Sequence, residues 1–190
     1  MKDPKPKRVL KTDVLEQMLP LVLEIIPGDY LAQVYFDRSE RLILNPQEKG
    51  FEHPRALVIA PTRELARQIG ESFAIYASHT TLKSLVLDGG GKLQTQAKKI
   101  QAGVDVIIAT PGRLIDLDKL KQLSLNKIEV LVIDEADRLL DMGFYDELTE
   151  ILYRLPKASK RESMLFSATL AEEILYTDFT LVQSRPFIGA

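Results

Sequence analysis

The sequence predicts an α/β fold, in which helices cover both faces of a doubly wound, mostly parallel β-sheet. From Arg55 onward, short β-branched apolar runs alternate with amphipathic stretches, and this alternation is typical of β-α-β units. The runs are apolar on both faces, which indicates strands that are buried on both sides. Right-handed crossovers then place every strand's carboxyl end at one edge of the sheet, where ligands of such folds bind.

The elements follow one another in a regular order. We predict strands at 56–60, 84–87, 104–109, 130–133 and 164–167. We predict helices at 64–76, 93–101, 113–120, 146–154 and 171–179, where apolar residues recur at helical spacing. Residues 1–54 are less regular and contain a basic arm and a helical stretch interrupted by Pro20. The chain is therefore divided into an N-terminal segment, 1–54, and a core domain, 55–190.

Composition excludes several classes of protein. The 190 residues include no Cys and only 2 His, which rules out disulfides, thiolate chemistry and a His-rich metal site. No apolar run approaches the roughly 18 residues of a membrane span, and the N-terminus lacks a secretory signal. We therefore expect a soluble intracellular protein without a membrane partner. The net charge of −2 means that any contact with nucleic acid must depend on locally placed groups and not on the charge of the whole protein.

Each predicted strand ends in a short polar motif. In chain order the motifs are Pro61-Thr62-Arg63-Glu64, Asp88-Gly89-Gly90-Gly91, Thr110-Pro111-Gly112-Arg113, Asp134-Glu135-Ala136-Asp137 and Ser167-Ala168-Thr169. This ordered set resembles the DEAD-box RNA helicase family, specifically the first of its two RecA-like lobes, over residues 55–188. The resemblance implies a RecA-like sheet, ATP-dependent RNA unwinding, and ATP and Mg²⁺ as cofactors.

The fourth motif places carboxylates at the ligand edge. Asp134 follows a buried strand, so its carboxylate could hold Mg²⁺ through water, while Glu135 could orient or deprotonate an attacking water. The resemblance places Asp137 in the same Walker-B-like motif and gives Ser167 and Thr169 the coupling of ATP hydrolysis to strand separation. The alternative is local: acids that cap the next helix and hydroxyls that bind neighbouring loops.

The third motif suits a phosphate backbone. Thr110 offers a hydroxyl, Gly112 allows close approach, and Arg113 supplies a fork of donors near a helix N-terminus. The alternative is a plain strand–turn–helix junction with Pro111 in the first helical turn. The resemblance implies RNA sugar-phosphate contacts, without readout of base sequence, for this motif and for Pro61, Thr62, Arg63, Glu64, Gly89 and Gly90. Arg63 and Glu64 could instead pair with each other and brace their loop.

The P-loop that a family member should carry is missing. The one Gly-Lys pair, Gly91-Lys92, is followed by Leu93 and does not fit G-x-x-x-x-G-K-[ST]. Residues 27–33 resemble the segment that leads into a P-loop, but no Gly occurs between Asp29 and Lys49, so a phosphate nest is hard to form. Losing its donors removes about 5 kcal/mol and weakens ATP binding by roughly a thousandfold. Asp134 and Glu135 would then be idle.

Three functions remain open. The chain is the first lobe of an RNA helicase whose second lobe lies elsewhere, a non-catalytic relative that binds RNA or serves as a scaffold in a larger complex, or a protein-interaction module with relic motifs. Because the sequence ends after one lobe, we expect that this chain alone does not unwind RNA. The missing P-loop favours the non-catalytic relative, while the later motifs favour helicase ancestry and RNA contact.

Overall fold

A computed structural model describes residues 53–78 and 80–167 of the chain. These residues form a five-stranded sheet in the order β2-β3-β1-β4-β5, and every neighbouring pair of strands is parallel. The predicted α/β class is therefore confirmed. The basic arm, the helical stretch before residue 27, the segment 27–49, Thr169 and the predicted helix at 171–179 lie outside the described residues.

Strands and helices alternate along the described chain. The strands are β1 (Ala56–Ile59), β2 (Ser84–Leu87), β3 (Val106–Ala109), β4 (Val130–Ile133) and β5 (Glu162–Leu165). The α-helices are α1 (Arg63–Ala77), α2 (Leu93–Gln101), α3 (Pro111–Lys119), α4 (Ala136–Asp141) and α5 (Tyr145–Arg154), and a 3-10 turn covers Ala158–Lys160.

Helices cover both faces of the sheet, as predicted. Alternate strand residues point to opposite faces, so Leu57 and Ile59 of β1 join a core cluster with residues of α2 to α5. Val58 instead joins a second cluster that contains Phe73 of α1. Burying each such side chain stabilises the fold by about 1.5–3 kcal/mol. The sheet is thus enclosed between two separate apolar layers.

Helix α1 lies unusually close to β2. An ideal Cβ built on Gly70 would lie 2.3 Å from the Cγ2 atom of Val86, which is too close for two carbons that are not bonded to each other. Glycine inside a helix costs about 1 kcal/mol relative to alanine. This glycine is therefore explained by the close packing of the helix on the strand.

Several predicted boundaries were wrong. β5 covers 162–165 and not 164–167, because Glu162 is the register partner of Val130 and the pairing begins there. β3 begins at Val106, two residues after the predicted start, and α3 begins at Pro111, two residues before it. Pro111 lies in the first turn, where a missing N–H is tolerated. Helix α4 was not predicted, because six residues are too few to show helical periodicity.

The register aligns the carboxyl ends of all five strands. Ile59 of β1 is the partner of Ala109 and of Ile133, and these in turn are the partners of Leu87 and Leu165. The residues that follow the strands therefore all begin at the same edge of the sheet. No helix of residues 53–78 and 80–167 is long and apolar enough to cross a membrane.

Candidate nucleic-acid interface

A cleft of about 460 Å³ opens at the carboxyl ends of β1, β2 and β3. Its lining includes most of the residues that were predicted to contact RNA: Pro61, Thr62, Arg63, Glu64, Gly89, Thr110, Gly112 and Arg113. Gly90 belongs to the same glycine loop (residues 89–91) but does not line the cleft. Three motifs that are separated from one another by at least 18 residues in sequence thus form one surface.

Arg113 holds the glycine loop in place. Its Nη2 donates to the carbonyl of Gly89 at 2.7 Å, and its Nη1 donates to the carbonyl of Gly91 at 3.0 Å and to Oε1 of Gln96 at 3.1 Å. A guanidinium has five N–H donors. Two of the five therefore stay available to a ligand within the described part of the chain, and Arg113 both shapes the cleft and lines it.

Asp88 holds the same loop from the other side. Its Oδ1 accepts a hydrogen bond from the Gly90 N–H at 2.9 Å, and its Oδ2 accepts one from Nε of Arg67 at 2.5 Å. Burial raises the pKa of Asp88, but the Gly90 N–H and the Arg67 guanidinium outweigh it and hold the pKa below its usual value of 3.8. Asp88 is therefore ionised at neutral pH.

Arg63 faces the cleft without a protein partner among the described residues. Its guanidinium lies beside Gly89, where an ideal Cβ would be 3.4 Å from Nη2. The side chain is exposed. The alternative of an internal pair is not realised, because no hydrogen bond or ion pair within the described chain joins Arg63 to Glu64. A phosphate that enters the cleft would find this guanidinium available.

The two threonines of the cleft differ in their contacts. Thr62 caps α1, since its hydroxyl oxygen accepts a hydrogen bond from the Leu65 N–H at 3.2 Å. Thr110 precedes α3, but its side chain makes no such cap. The Thr110 hydroxyl therefore remains able to bind a ligand, whereas that of Thr62 already has a structural role.

Gly112 leaves the start of α3 open. An ideal Cβ at this position would have no heavy atom within 4 Å, so no protein neighbour accounts for the glycine. A side chain here would extend into the cleft that Gly112 lines. The residue fits the prediction that a ligand backbone approaches closely, and α3, which has nine residues, presents its N-terminal N–H groups there.

Four residues of the lining were not among the predicted RNA contacts, although the first belongs to the second strand-end motif: Asp88, Asp116, Met142 and Phe144. Asp116 lies one helical turn after Gly112, so a helical projection of α3 would have placed it there. Met142 and Phe144 follow α4 and reach the cleft only through the tertiary fold. No local pattern in the sequence indicates their position.

The carboxylate motif forms a separate group at the ends of β4 and β5. Asp134 is 2% exposed, and its Oδ1 accepts a hydrogen bond from the Glu135 N–H at 2.9 Å. Backbone N–H of Asp137 donates to the Ser167 hydroxyl at 3.3 Å, which joins the two motifs. None of these residues lines the cleft. The structure therefore keeps the predicted RNA contacts and the predicted catalytic group apart.

Glu135 has an uncommon backbone conformation. Its φ is +47°, in the left-handed region that non-glycine residues rarely adopt. Its carboxylate accepts a hydrogen bond from Arg138 at 3.0 Å and caps no helix, so the helix-capping alternative does not hold for this residue. Strained residues of this kind cluster at functional sites.

The segment in which a phosphate cradle was sought, residues 27–49, lies outside the described residues. Within the described ranges, no group of three or more His, Asp or Glu side chains could hold a metal ion. Asp134 has the carboxylate that was predicted to hold Mg²⁺ through water. The sequence has no glycine between Asp29 and Lys49.

Comparison with known proteins identifies relatives of the chain. A family model described as DEAD/DEAH box helicase matches residues 35–176. The ATP-dependent RNA helicase RhlB of Shewanella denitrificans is 43% identical over 129 residues, which are 68% of this chain and 30% of that protein. DEAD-box ATP-dependent RNA helicase 52A of Oryza sativa subsp. japonica is 47% identical over 130 residues, 66% of this chain and 22% of that protein.

The chain is also similar in fold to solved structures of DEAD-box proteins. The yeast DEAD-box splicing factor Prp28 superimposes with a TM-score of 0.72 at 29% identity, over 83% of this chain and 38% of that one. A DEAD box protein from Methanococcus jannaschii gives a TM-score of 0.69 at 27% identity, over 81% and 41%. The chain thus spans less than half the length of each of these four proteins.

Proposed function

The chain belongs to the DEAD/DEAH box helicase family, and from this premise we propose that its cleft binds the sugar-phosphate backbone of single-stranded RNA. One observation supports the proposal above all. Eight of the residues that the family motifs assign to RNA line a single cleft of about 460 Å³, although they come from three separate strand ends.

The chemistry of the cleft suits a backbone more than a base. The exposed Arg63 and the two unused N–H groups of Arg113 are donors for phosphate oxygens. Thr110 adds a hydroxyl that a ribose 2′-OH could bind. Contacts of this kind recognise shape and the ribose but not the base sequence. They allow a chain with a net charge of −2 to bind RNA through local donors.

The catalytic state is the second part of the proposal. The chain is a non-catalytic member of the family that acts as an RNA-binding or scaffold component, together with a second lobe or within a larger complex. The absence of glycine between Asp29 and Lys49 and of any P-loop pattern in the sequence supports this. The competing function is ATP-driven RNA unwinding, which is the activity named for the RhlB relative.

A salt titration tests RNA binding. The anisotropy of a labelled single-stranded RNA should rise with protein concentration at low salt. If about three phosphates are neutralised, the log of the affinity should fall against the log of the salt concentration with a slope near −2. Absence of binding at 50 mM salt would favour the protein-interaction module.

Calorimetry with ATP and Mg²⁺ tests the catalytic state. We expect no saturation below millimolar ATP, because the phosphate donors are missing. A DEAD-box relative with an intact P-loop serves as the positive control. Sub-millimolar affinity would contradict the proposed loss of the nucleotide site and would restore ATP-driven unwinding as the better function.

A further inference from the structure

We infer that Arg67 neutralises Asp88 in the wall of the cleft, so that a polyanionic strand can approach the glycine loop. This inference rests on the proposed RNA-binding function and assigns to Arg67, which the family motifs did not single out, a specific role in that site. Arg67 acts through Asp88 and is therefore a positioning residue.

The cleft has an excess of negative side chains without Arg67. Glu64, Asp88 and Asp116 line it, against Arg63 and Arg113. Asp88 is the most buried of the three carboxylates, because its residue is only 8% exposed whereas Glu64 and Asp116 are exposed. Water screens a buried charge poorly. An unpaired Asp88 would therefore repel an incoming phosphate more strongly than its exposed neighbours would.

Arg67 reaches Asp88 from outside the cleft. It lies on α1, one helical turn after Arg63, and its Nε contacts Oδ2 of Asp88 at 2.5 Å. The Arg67 side chain is 53% exposed but does not line the cleft, whereas Asp88 does. The positive charge is thus placed behind the carboxylate, where it cancels the repulsion without occupying the ligand's space.

The loop itself is shaped to receive this guanidinium. An ideal Cβ on Gly90 would lie 2.9 Å from Nη2 of Arg67 and 3.3 Å from Oδ1 of Asp88. A side chain at Gly90 would therefore have to displace the ion pair. The Gly90 N–H binds the second carboxylate oxygen at 2.9 Å. Both oxygens of Asp88 are satisfied, which keeps the carboxylate turned toward the loop and Arg67.

Four variants separate this role from a direct phosphate contact. RNA affinity is measured by anisotropy at low salt for Arg67→Gln, Asp88→Asn, the double variant and Arg67→Lys. Arg67→Gln should weaken binding about three- to tenfold, because it leaves an unpaired carboxylate in the cleft wall. Asp88→Asn should raise the affinity, because it removes a negative charge from the cleft wall and leaves Arg67 cationic, while an amide oxygen still accepts from Gly90.

The double variant is the decisive measurement. Adding Asp88→Asn to Arg67→Gln should restore affinity to within about twofold of the wild type, because the repelling charge is gone. Arg67→Lys should retain most of the affinity, because lysine keeps the positive charge. The salt slope measured for Arg67→Gln should equal that of the wild type, because no phosphate contact is lost. Lys119→Gln is the control, because this exposed lysine lies outside the cleft and its loss changes net charge equally.

Three results would overturn the inference. A double variant that binds as weakly as Arg67→Gln would show that charge repulsion is not the cause. A salt slope that falls by about 0.7 in Arg67→Gln would identify Arg67 as a phosphate ligand. A wild type that binds no RNA would reject the proposed function and this inference together, whereas the first two results leave RNA binding intact. Circular dichroism melts establish that each variant is folded.

Discussion

Arg113 donates a hydrogen bond of 2.7 Å from Nη2 to the backbone carbonyl of Gly89 and so ties the first turn of α3 to the loop after β2. Arg63 approaches the same glycine from α1 without a hydrogen bond to it. The two arginines of the cleft thus have different roles. One is largely engaged by the protein, and the other is available for a ligand.

Arg113→Gln should reduce both stability and RNA binding. The change removes the donors of the Gly89 and Gly91 carbonyls and of Gln96. Since one net hydrogen bond contributes about 1 kcal/mol and Arg113 is only partly buried, we expect the free energy of unfolding to fall by about 1–2 kcal/mol. Urea denaturation measures this change. An unaltered midpoint would mean that the glycine loop does not depend on Arg113.

Arg63→Gln should reduce RNA binding alone. The exposed guanidinium has no hydrogen bond within the described chain, so the free energy of unfolding should stay within about 0.5 kcal/mol of the wild type. The salt slope of RNA binding should become shallower by about 0.7, corresponding to one lost phosphate contact. A full wild-type slope would exclude Arg63 as a phosphate ligand. Comparing Arg63→Gln with Arg113→Gln distinguishes a residue that only contacts RNA from one that also supports the glycine loop.

Gly112→Ala should weaken RNA binding without loss of stability. A methyl group at this position meets no protein atom within 4 Å, and alanine is favoured over glycine in a helix by about 1 kcal/mol. The melting temperature should therefore stay the same or rise. Affinity for single-stranded RNA should fall, because the methyl group extends into the cleft. Unchanged affinity would indicate that the RNA does not approach the start of α3.

Gly70→Ala should destabilise the domain, although it also places alanine in a helix. The new methyl group would lie 2.3 Å from Cγ2 of Val86, and overpacking of this kind costs about 1–3 kcal/mol. Thermal unfolding should reveal a lower melting temperature. Val86→Ala removes the clash. Gly70→Ala should therefore lower the melting temperature less in a Val86→Ala protein than in the wild type. A stable single variant would show that α1 can move away from β2.

Asp88 should make stability depend on acid pH. Its folded-state pKa is lowered, since Gly90 and Arg67 outweigh the opposing effect of burial. The stabilisation is fully present above the unfolded pKa, near 3.9, and is lost as pH falls through the folded value. The difference in unfolding free energy between the wild type and Asp88→Asn should therefore be constant from about pH 7 to 5 and shrink below pH 4. A difference that grows on acidification would contradict the lowered pKa.

Local patterns predicted most of the secondary structure correctly. β2 and β4 and helix α2 have the predicted bounds, because each is an apolar or amphipathic run with a clear end. The predictions failed where local pattern is weak. Helix α4 has only six residues, and β5 begins with Glu162 and Ser163, whose strand character depends on pairing with β4.

The candidate cleft was predictable only in part. Strand-end motifs indicated Arg63, Thr110 and Arg113, because parallel strands place their carboxyl ends at one edge. The contacts of the Arg67–Asp88 pair could not be predicted, since the two residues are 21 positions apart and meet only when α1 packs against the end of β2. The position of Met142 could not be predicted either, because it follows β4 and α4 in sequence and lines the cleft only in the folded domain.

By itself, the amino-acid sequence determined the α/β class, the family and the chemical types of the groups at the strand ends, because these depend on periodicity and on short motifs. Only the tertiary structure decided the strand order, in which β1 lies between β3 and β4. That order brings the first three motifs to one cleft and leaves the Asp134 group with β5. Strand order depends on pairing between distant segments, and no local pattern encodes which segments will meet.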